Sequence, residues 1–158
     1  MPRFANPWTN RFLSGWQLSP IVAVHSGTWF YALDGTDNCL CGVFLDRPNV
    51  SGNPYVRSTT GALQWLDPSA FSLSPTGTFG DSGRDSLEAP GYFDIDAAVS
   101  RYFNITERHR IELRFEFFNV LNHVNFSAPD NYVTDPQFGQ ILSDASPRIL
   151  QFALKYTF

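Results

Sequence analysis

The stretch Arg110-Ile111-Glu112-Leu113-Arg114-Phe115-Glu116-Phe117-Phe118-Asn119-Val120-Leu121 decides the fold. Ile111, Leu113, Phe115 and Phe117 share one parity, and Glu112, Arg114 and Glu116 hold the other. Successive side chains of a strand point to opposite faces, so this pattern sends the bulk to one side and the charge to the other. A helix of the same sequence would spread both classes around its circumference. The stretch is an amphipathic β-strand.

Three more segments repeat the pattern. Between Gly15 and Ser26, Trp16, Leu18, Val22 and Val24 oppose Gln17, Ser19 and His25. Between Tyr92 and Phe103, Phe93, Ile95, Ala97 and Val99 oppose Asp94, Asp96, Ala98 and Ser100. From Arg148 to the end, Leu150, Phe152, Leu154, Tyr156 and Phe158 oppose Gln151, Ala153, Lys155 and Thr157. The expected fold is all-β: an antiparallel meander of about four long strands near 15–26, 92–103, 110–121 and 148–158, joined by two long loops, 27–90 and 122–147. These strands are roughly twice the usual five or six residues. Tilted by about 45°, eleven such residues climb about 25 Å, the height of the apolar band of a membrane barrel.

The composition of the 158-residue chain agrees. Hydrophobic residues make up 43% and charged residues 16%, enough apolar content to exclude disorder and too little charge for a long-helix protein. No run approaches the roughly 18 apolar residues of a transmembrane helix. A net charge of -4 argues against a nucleic-acid partner. Residues 27–90 carry seven acids and three Arg, and 122–147 three acids and no Lys or Arg. The two loops therefore sum to -7 and the remainder to +3, so the acids gather where the turn formers are.

Two features point the strands toward a bilayer. Antiparallel succession brings Trp16, Tyr102, Phe103, Tyr156 and Phe158 to one end of the sheet, where an interfacial aromatic girdle would lie. The connections also alternate in length, the tight turn Asn104 to His109 contrasting with the two long loops, as in an outer-membrane barrel. Arg101 lies on the apolar parity close to a strand end, where its stem can snorkel to the headgroups. Pro20 interrupts its strand's hydrogen bonding and implies a bulge or an unpaired position.

Within the first loop, the apolar runs Trp29 to Leu33, Gly42 to Leu45 and Ala62 to Leu66 are too short to cross a bilayer. Asp67-Pro68 pairs an N-cap with a first-turn proline and predicts a helical turn over 69–71. Cys39 and Cys41 form a Cys-x-Cys whose nearest His in sequence is His25, so loop thiols or a labile disulfide fit better than a metal. Met1 to Gln17 contains no apolar core of a signal peptide.

Four strands cannot close a barrel, since bacterial outer-membrane barrels begin at eight. An open sheet with a lipid-ready face would expose its edges and its apolar surface. Both conflicts disappear if the chain is the carboxyl-terminal piece of a longer protein, with Met1 an internal methionine or a misplaced start.

An ordered set of motifs then resembles one family. Gly15-Trp16-Gln17-Leu18-Ser19, Asp46-Arg47-Pro48-Asn49, Gly77-Thr78-Phe79-Gly80 with Gly83-Arg84, and Gly91-Tyr92-Phe93-Asp94-Ile95-Asp96 are similar to the late barrel strands of Oar-like TonB-dependent receptors. So are Ile105-Thr106-Glu107-Arg108 continuing into Arg114-Phe115-Glu116-Phe117-Phe118-Asn119-Val120-Leu121-Asn122-His123, then Phe138-Gly139-Gln140-Ile141 and the closing run from Arg148 to Phe158. The resemblance implies a large closed barrel, a plug and coupling to the TonB system through the parent protein. Its other implied partners are outer-membrane lipid and the remaining barrel strands. Leu150, Phe152, Leu154, Tyr156 and Phe158, ending on an aromatic residue, look like the signal read by the barrel-assembly machinery, which pairs with such a strand by β-augmentation. The implied location is the outer membrane of a Gram-negative-type bacterium, with loops extracellular and the carboxyl terminus periplasmic.

Enzyme chemistry finds no footing in the residues, and no catalytic, cofactor-binding or metal residues are expected. Gly77, Gly80 and Gly83 lack the strand and helix of a phosphate cradle. Asp34, Asp37 and Asn38 lack the spacing of a calcium loop and read as a solvated turn. His25, His109 and His123 lie on separate elements. Asp94, Asp96, Glu112 and Glu116 share the inward parity with Arg114 and Lys155, as in a wet lumen. The Asn-x-Ser/Thr sequences at Asn49, Asn104 and Asn125 read as chance. The function expected is the barrel segment of a receptor importing a bulky ligand. The alternatives are an adhesion or surface-display barrel, and a soluble secreted β-sandwich that binds sugar or protein.

Overall fold

The computed structural model describes residues 14–56 and 63–158. Expectations that fall on residues 1–13 and on Ala62 lie outside the described residues. In chain order the strands are β1 (Trp16–His25), β2 (Trp29–Phe30), β3 (Asn49–Val50), β4 (Phe71–Ser72), β5 (Leu87–Glu88), β6 (Tyr92–Asn104), β7 (Arg110–Phe118) and β8 (Ile149–Thr157). The chain divides into two compact units, one holding residues 14–24, 93–123 and 146–158, the other 25–92 and 124–145.

The first unit is a four-stranded sheet in the order β1-β6-β7-β8. The four long strands read from alternation are thus all present, in an all-β antiparallel meander, within a few residues of their expected bounds. Register confirms the faces: Val99 pairs with Phe115 and Phe115 with Phe152, while Arg101, Leu113 and Leu154 form the next apolar row. On the other side Ser100, Arg114 and Ala153 are aligned, as are Tyr102, Glu112 and Lys155. β1 runs from Trp16 to His25 through Pro20. It is an edge strand of this sheet, where a missing N–H is tolerated.

Two different turns set the strand ends. Between β6 and β7, Ile105 N donates to His109 O at 2.9 Å and His109 N to Thr106 Oγ1 at 3.2 Å, closing the tight turn. At the opposite end β7 stops at Phe118, three residues earlier than the alternation suggested. Asn119 leaves the strand at φ +50°, a conformation that Asn tolerates better than most residues. Its N–H donates to Asp96 Oδ1 at 3.0 Å, and its side-chain amide bonds both His123 N and His123 O at 2.9 Å. Asn122, also at positive φ, accepts from Arg148 N at 3.1 Å through Oδ1. The two asparagines of Asn119-Val120-Leu121-Asn122 thus end one strand and tether the start of the next.

In the second unit the two long loops pack on each other. Ala32, Leu66, Ala70, Phe71, Leu87 and Phe138 form a buried core, with Phe30, Val50, Tyr55, Trp65 and Val133 packed on it. Phe71 and Phe138, from different loops, meet edge to face at 5.0 Å. Gly139 O accepts from both Trp65 N and Leu66 N, and Val133 N donates to Leu33 O. Gly139 sits at φ +74°, and a Cβ there would collide with Leu66. The pairs β2–β5 and β3–β4 complete the unit. Of the three apolar runs, residues of the first and third build this core, whereas Val43, Phe44 and Leu45 of the second are exposed. The turn expected after Asp67 is present as a 3-10 turn, Pro68–Ala70, capped by Asp67 Oδ1 on Ser69 N at 2.9 Å. Bonds from the Ser69 hydroxyl and backbone hold the Asp67 carboxyl below its ordinary range.

Candidate lipid-facing surface and carboxyl-terminal strand

Alternation in β8 puts Leu150, Phe152, Leu154 and Tyr156 on the sheet's apolar face. All are more than half exposed, Phe152 by 62%. Phe158, just past the strand end, continues the parity and is 87% exposed. In a soluble protein five large apolar side chains in a row would not stay bare. Three of the five have ring neighbours among the described residues: Phe115 lies 5.2 Å from Phe152, and Tyr156 has Phe158 at 5.9 Å and the His109 ring stacked on it at 5.8 Å. The Tyr156 hydroxyl and His109 Nδ1 are 2.6 Å apart, which ties the last turn of the strand to the tight turn beside it.

The five girdle residues divide between the faces. Trp16, Phe103, Tyr156 and Phe158 belong with the apolar side. Tyr102 lies at the same end but on the polar side, aligned with Glu112 and Lys155, and the Arg110 guanidinium sits 5.6 Å from its ring. Position along the strand suggested Tyr102; parity excludes it from a lipid-facing row. Arg101 also departs from expectation. It does not reach outward to headgroups but is buried, its guanidinium 5.6 Å from the Trp16 ring and 4.6 Å from the Phe103 ring. Aromatic faces attract a cation electrostatically, which lets the charge remain on an apolar face.

The opposite face carries the charged side chains. Ser19 and Ile21 of β1 line a shallow depression with Asp96, Ala98, Arg114 and Glu116. Arg114 Nε is paired with Glu116 Oε1 at 2.8 Å. Asp94, Asp96, Glu112, Glu116, Arg114 and Lys155 thus share one side, as parity required. In the second unit Cys39 and Cys41 are joined in a disulfide.

A sheet of long strands, apolar on one face and charged on the other, fits the wall of a transmembrane barrel, where lipid takes the first face and water the second. A family described as an outer membrane beta barrel domain matches residues 2–151, and the chain belongs to that family. The protein is therefore an outer-membrane β-barrel protein. The match ends at Gln151, so the assembly-signal reading of Phe152 to Phe158 rests on the strand's own pattern. No curated protein and no solved structure matches the chain.

Proposed function

We propose that this chain is the carboxyl-terminal barrel segment of a TonB-dependent, Oar-like outer-membrane receptor that imports a bulky ligand, and that it does not act alone. The observation carrying this reading is the second unit. Two long connections that merely joined strands would need no core, yet these share one, with Phe71 from the first against Phe138 from the second. Ordering so many residues costs backbone entropy. Long ordered loops in compact folds are generally functional. A receptor uses such loops to hold its ligand above the pore. The motif order from Gly15 to Phe158 supports the family's finer assignment.

In this reading the sheet completes a larger barrel through its edges, and a plug fills the pore. Residues 27–90 and 122–147 lie outside the cell. Leu150, Phe152, Leu154, Tyr156 and Phe158 are the strand that the assembly machinery receives from the periplasmic side. The wet face of Asp94, Asp96, Glu112, Arg114, Glu116 and Lys155 lines the lumen, a solvent role without catalysis.

An adhesion or display barrel is the second reading, favoured by bare apolar side chains on the second unit, such as Phe44 and Phe79. Family membership lends nothing to the soluble sandwich. Reading the gene upstream of Met1 in frame separates the two barrels. A plug preceded by a short energy-coupling segment is the expected result, and a complete barrel without a plug would overturn the import reading in favour of adhesion.

A further inference from the structure

The turn read from sequence as solvated is not. Asp34 is fully buried, at 0% exposure. Its Oδ2 accepts from Asn38 Nδ2 at 2.9 Å, Ser74 Oγ at 3.0 Å and Ser74 N at 3.3 Å, three neutral donors. Its Oδ1 is enclosed and accepts from nothing among the described residues, and the same holds for Thr36 Oγ1. Two orphaned oxygens thus lie in one turn, two residues apart across Gly35, which folds the backbone at φ +76°.

Charge sharpens the problem. Asp46 is also buried, and its carbonyl accepts from Asp34 N at 2.7 Å. Residues 34–46 contain three acids and no Lys or Arg, and among the described residues no basic side chain pairs with Asp34 or Asp46. Asp37 does not relieve this, because its two oxygens are engaged by Cys41 N and Gly42 N at 2.9 Å. An ionised carboxylate taken out of water needs a counter-charge or a full set of donors. Asp34 has neither.

We propose that the Asp34–Asn38 turn is a calcium site, with Asp34 Oδ1 and Thr36 Oγ1 as its side-chain ligands. A carboxylate and a hydroxyl are hard oxygen donors, which exclude the soft metals. Calcium accepts carbonyl and water oxygens in flexible geometry to complete its shell, whereas magnesium demands a near-ideal octahedron. Bound there, the ion replaces the missing counter-charge and locks the disulfide-bearing loop 37–46 to the segment around Ser74. The site is independent of import.

The test uses the full-length protein extracted from outer membranes in detergent and stripped with a chelator. Calcium chloride is titrated by calorimetry, and melting is followed with and without calcium. Loss of a ligand charge weakens such sites strongly, so Asp34→Asn should lower the affinity of one site by about tenfold or more, with Thr36→Val weakening the same site less. Both variants should lose part of the calcium-dependent rise in melting temperature, as expected for an ion bound only by the folded state. Thr36→Val keeps the three bonds to Asp34 Oδ2 and decides the matter if Asp34→Asn does not fold. Absence of calcium uptake by the wild type, or unchanged affinity and stoichiometry in the variants that fold, overturns the proposal and leaves a buried water or proton as the occupant. Equal affinity for magnesium chloride overturns the choice of ion.

Discussion

Replacing Phe152 by Arg, beside a control that replaces Gln151 by Arg, separates a lipid-facing sheet from a water-facing one. The two residues are neighbours in β8 but point to opposite faces, with Phe152 opposite Phe115 and Gln151 opposite Glu116. Phe152 is close to the middle of its strand, hence near the bilayer midplane, where an arginine on the lipid face costs about 2–4 kcal/mol. The ring pair with Phe115 at 5.2 Å is lost as well, worth about 0.5–1.5 kcal/mol. Together these predict a loss of roughly 3–5 kcal/mol, or about two to three and a half powers of ten in the folding equilibrium. Gln151→Arg brings a cation opposite a carboxylate in water and should change stability by about 0.5 kcal/mol or less. The assay is urea unfolding of the full-length barrel in lipid vesicles, read by heat-modifiable mobility on gels. If Phe152→Arg unfolds at the wild-type urea concentration, or both variants shift equally, the apolar face does not meet lipid and the barrel-wall reasoning fails.

Three further outcomes follow from particular contacts. Asn119→Ala loses the left-handed residue and the bonds to His123, and should cost about 2–4 kcal/mol in the same unfolding assay, with Asn119→Gly costing about half because the backbone stays permissive. Leu66→Ala empties a fully buried position of the second unit and should cost that unit about 2–5 kcal/mol; limited proteolysis should then nick residues 25–92 while β8 stays intact, and coordinated loss of both would contradict separate cores. The Asp67 carboxyl is held below its ordinary value of 3.8, first by the Ser69 hydroxyl and then by the Ser69 N–H. A depressed carboxyl stabilises fully above that ordinary value and loses its contribution as pH falls through the folded value. Ser69→Ala should therefore move the acid titration of Asp67 upward, as followed by carboxyl carbon chemical shift, and an unchanged midpoint would show that the hydroxyl bond is not made.

The barrel wall was legible because a two-residue period is the most local of signals. Each residue of Ile111 to Phe117 reports its face through its neighbours alone, and the observed register repeats that sorting across β6, β7 and β8. Errors arose where position along the strand was used to place a side chain. Tyr102 was placed in the girdle for standing near a strand end, and Arg101 was sent to the headgroups for the same reason. In the structure the first turns to the polar side and the second is buried against two rings. Neither outcome follows from distance along a strand.

The second unit was not legible, and the cause is physical. Its core residues are Ala32, Leu66, Ala70, Phe71, Leu87 and Phe138, drawn from two separated chain segments with no common spacing. Strands two residues long leave no period to find. Their backbone groups are satisfied by long-range bonds instead, such as Trp65 N to Gly139 O at 2.7 Å. Spacing then misled in a specific way: Asp34, Asp37 and Asn38 were read as a solvated turn, yet Asp34 is, with Pro48, among the most buried side chains of the unit. Turn-forming residues become interior once the turns pack on one another, and a carboxylate carried inside with them keeps its charge problem. Asp34 is where that problem is concentrated, since Asp37 is engaged by two backbone N–H groups and Asp46 by Cys39 N at 2.7 Å. A cation at Asp34 would resolve it and would make the order of the second unit depend on the ionic composition of its surroundings, which lipid contact on the barrel wall does not.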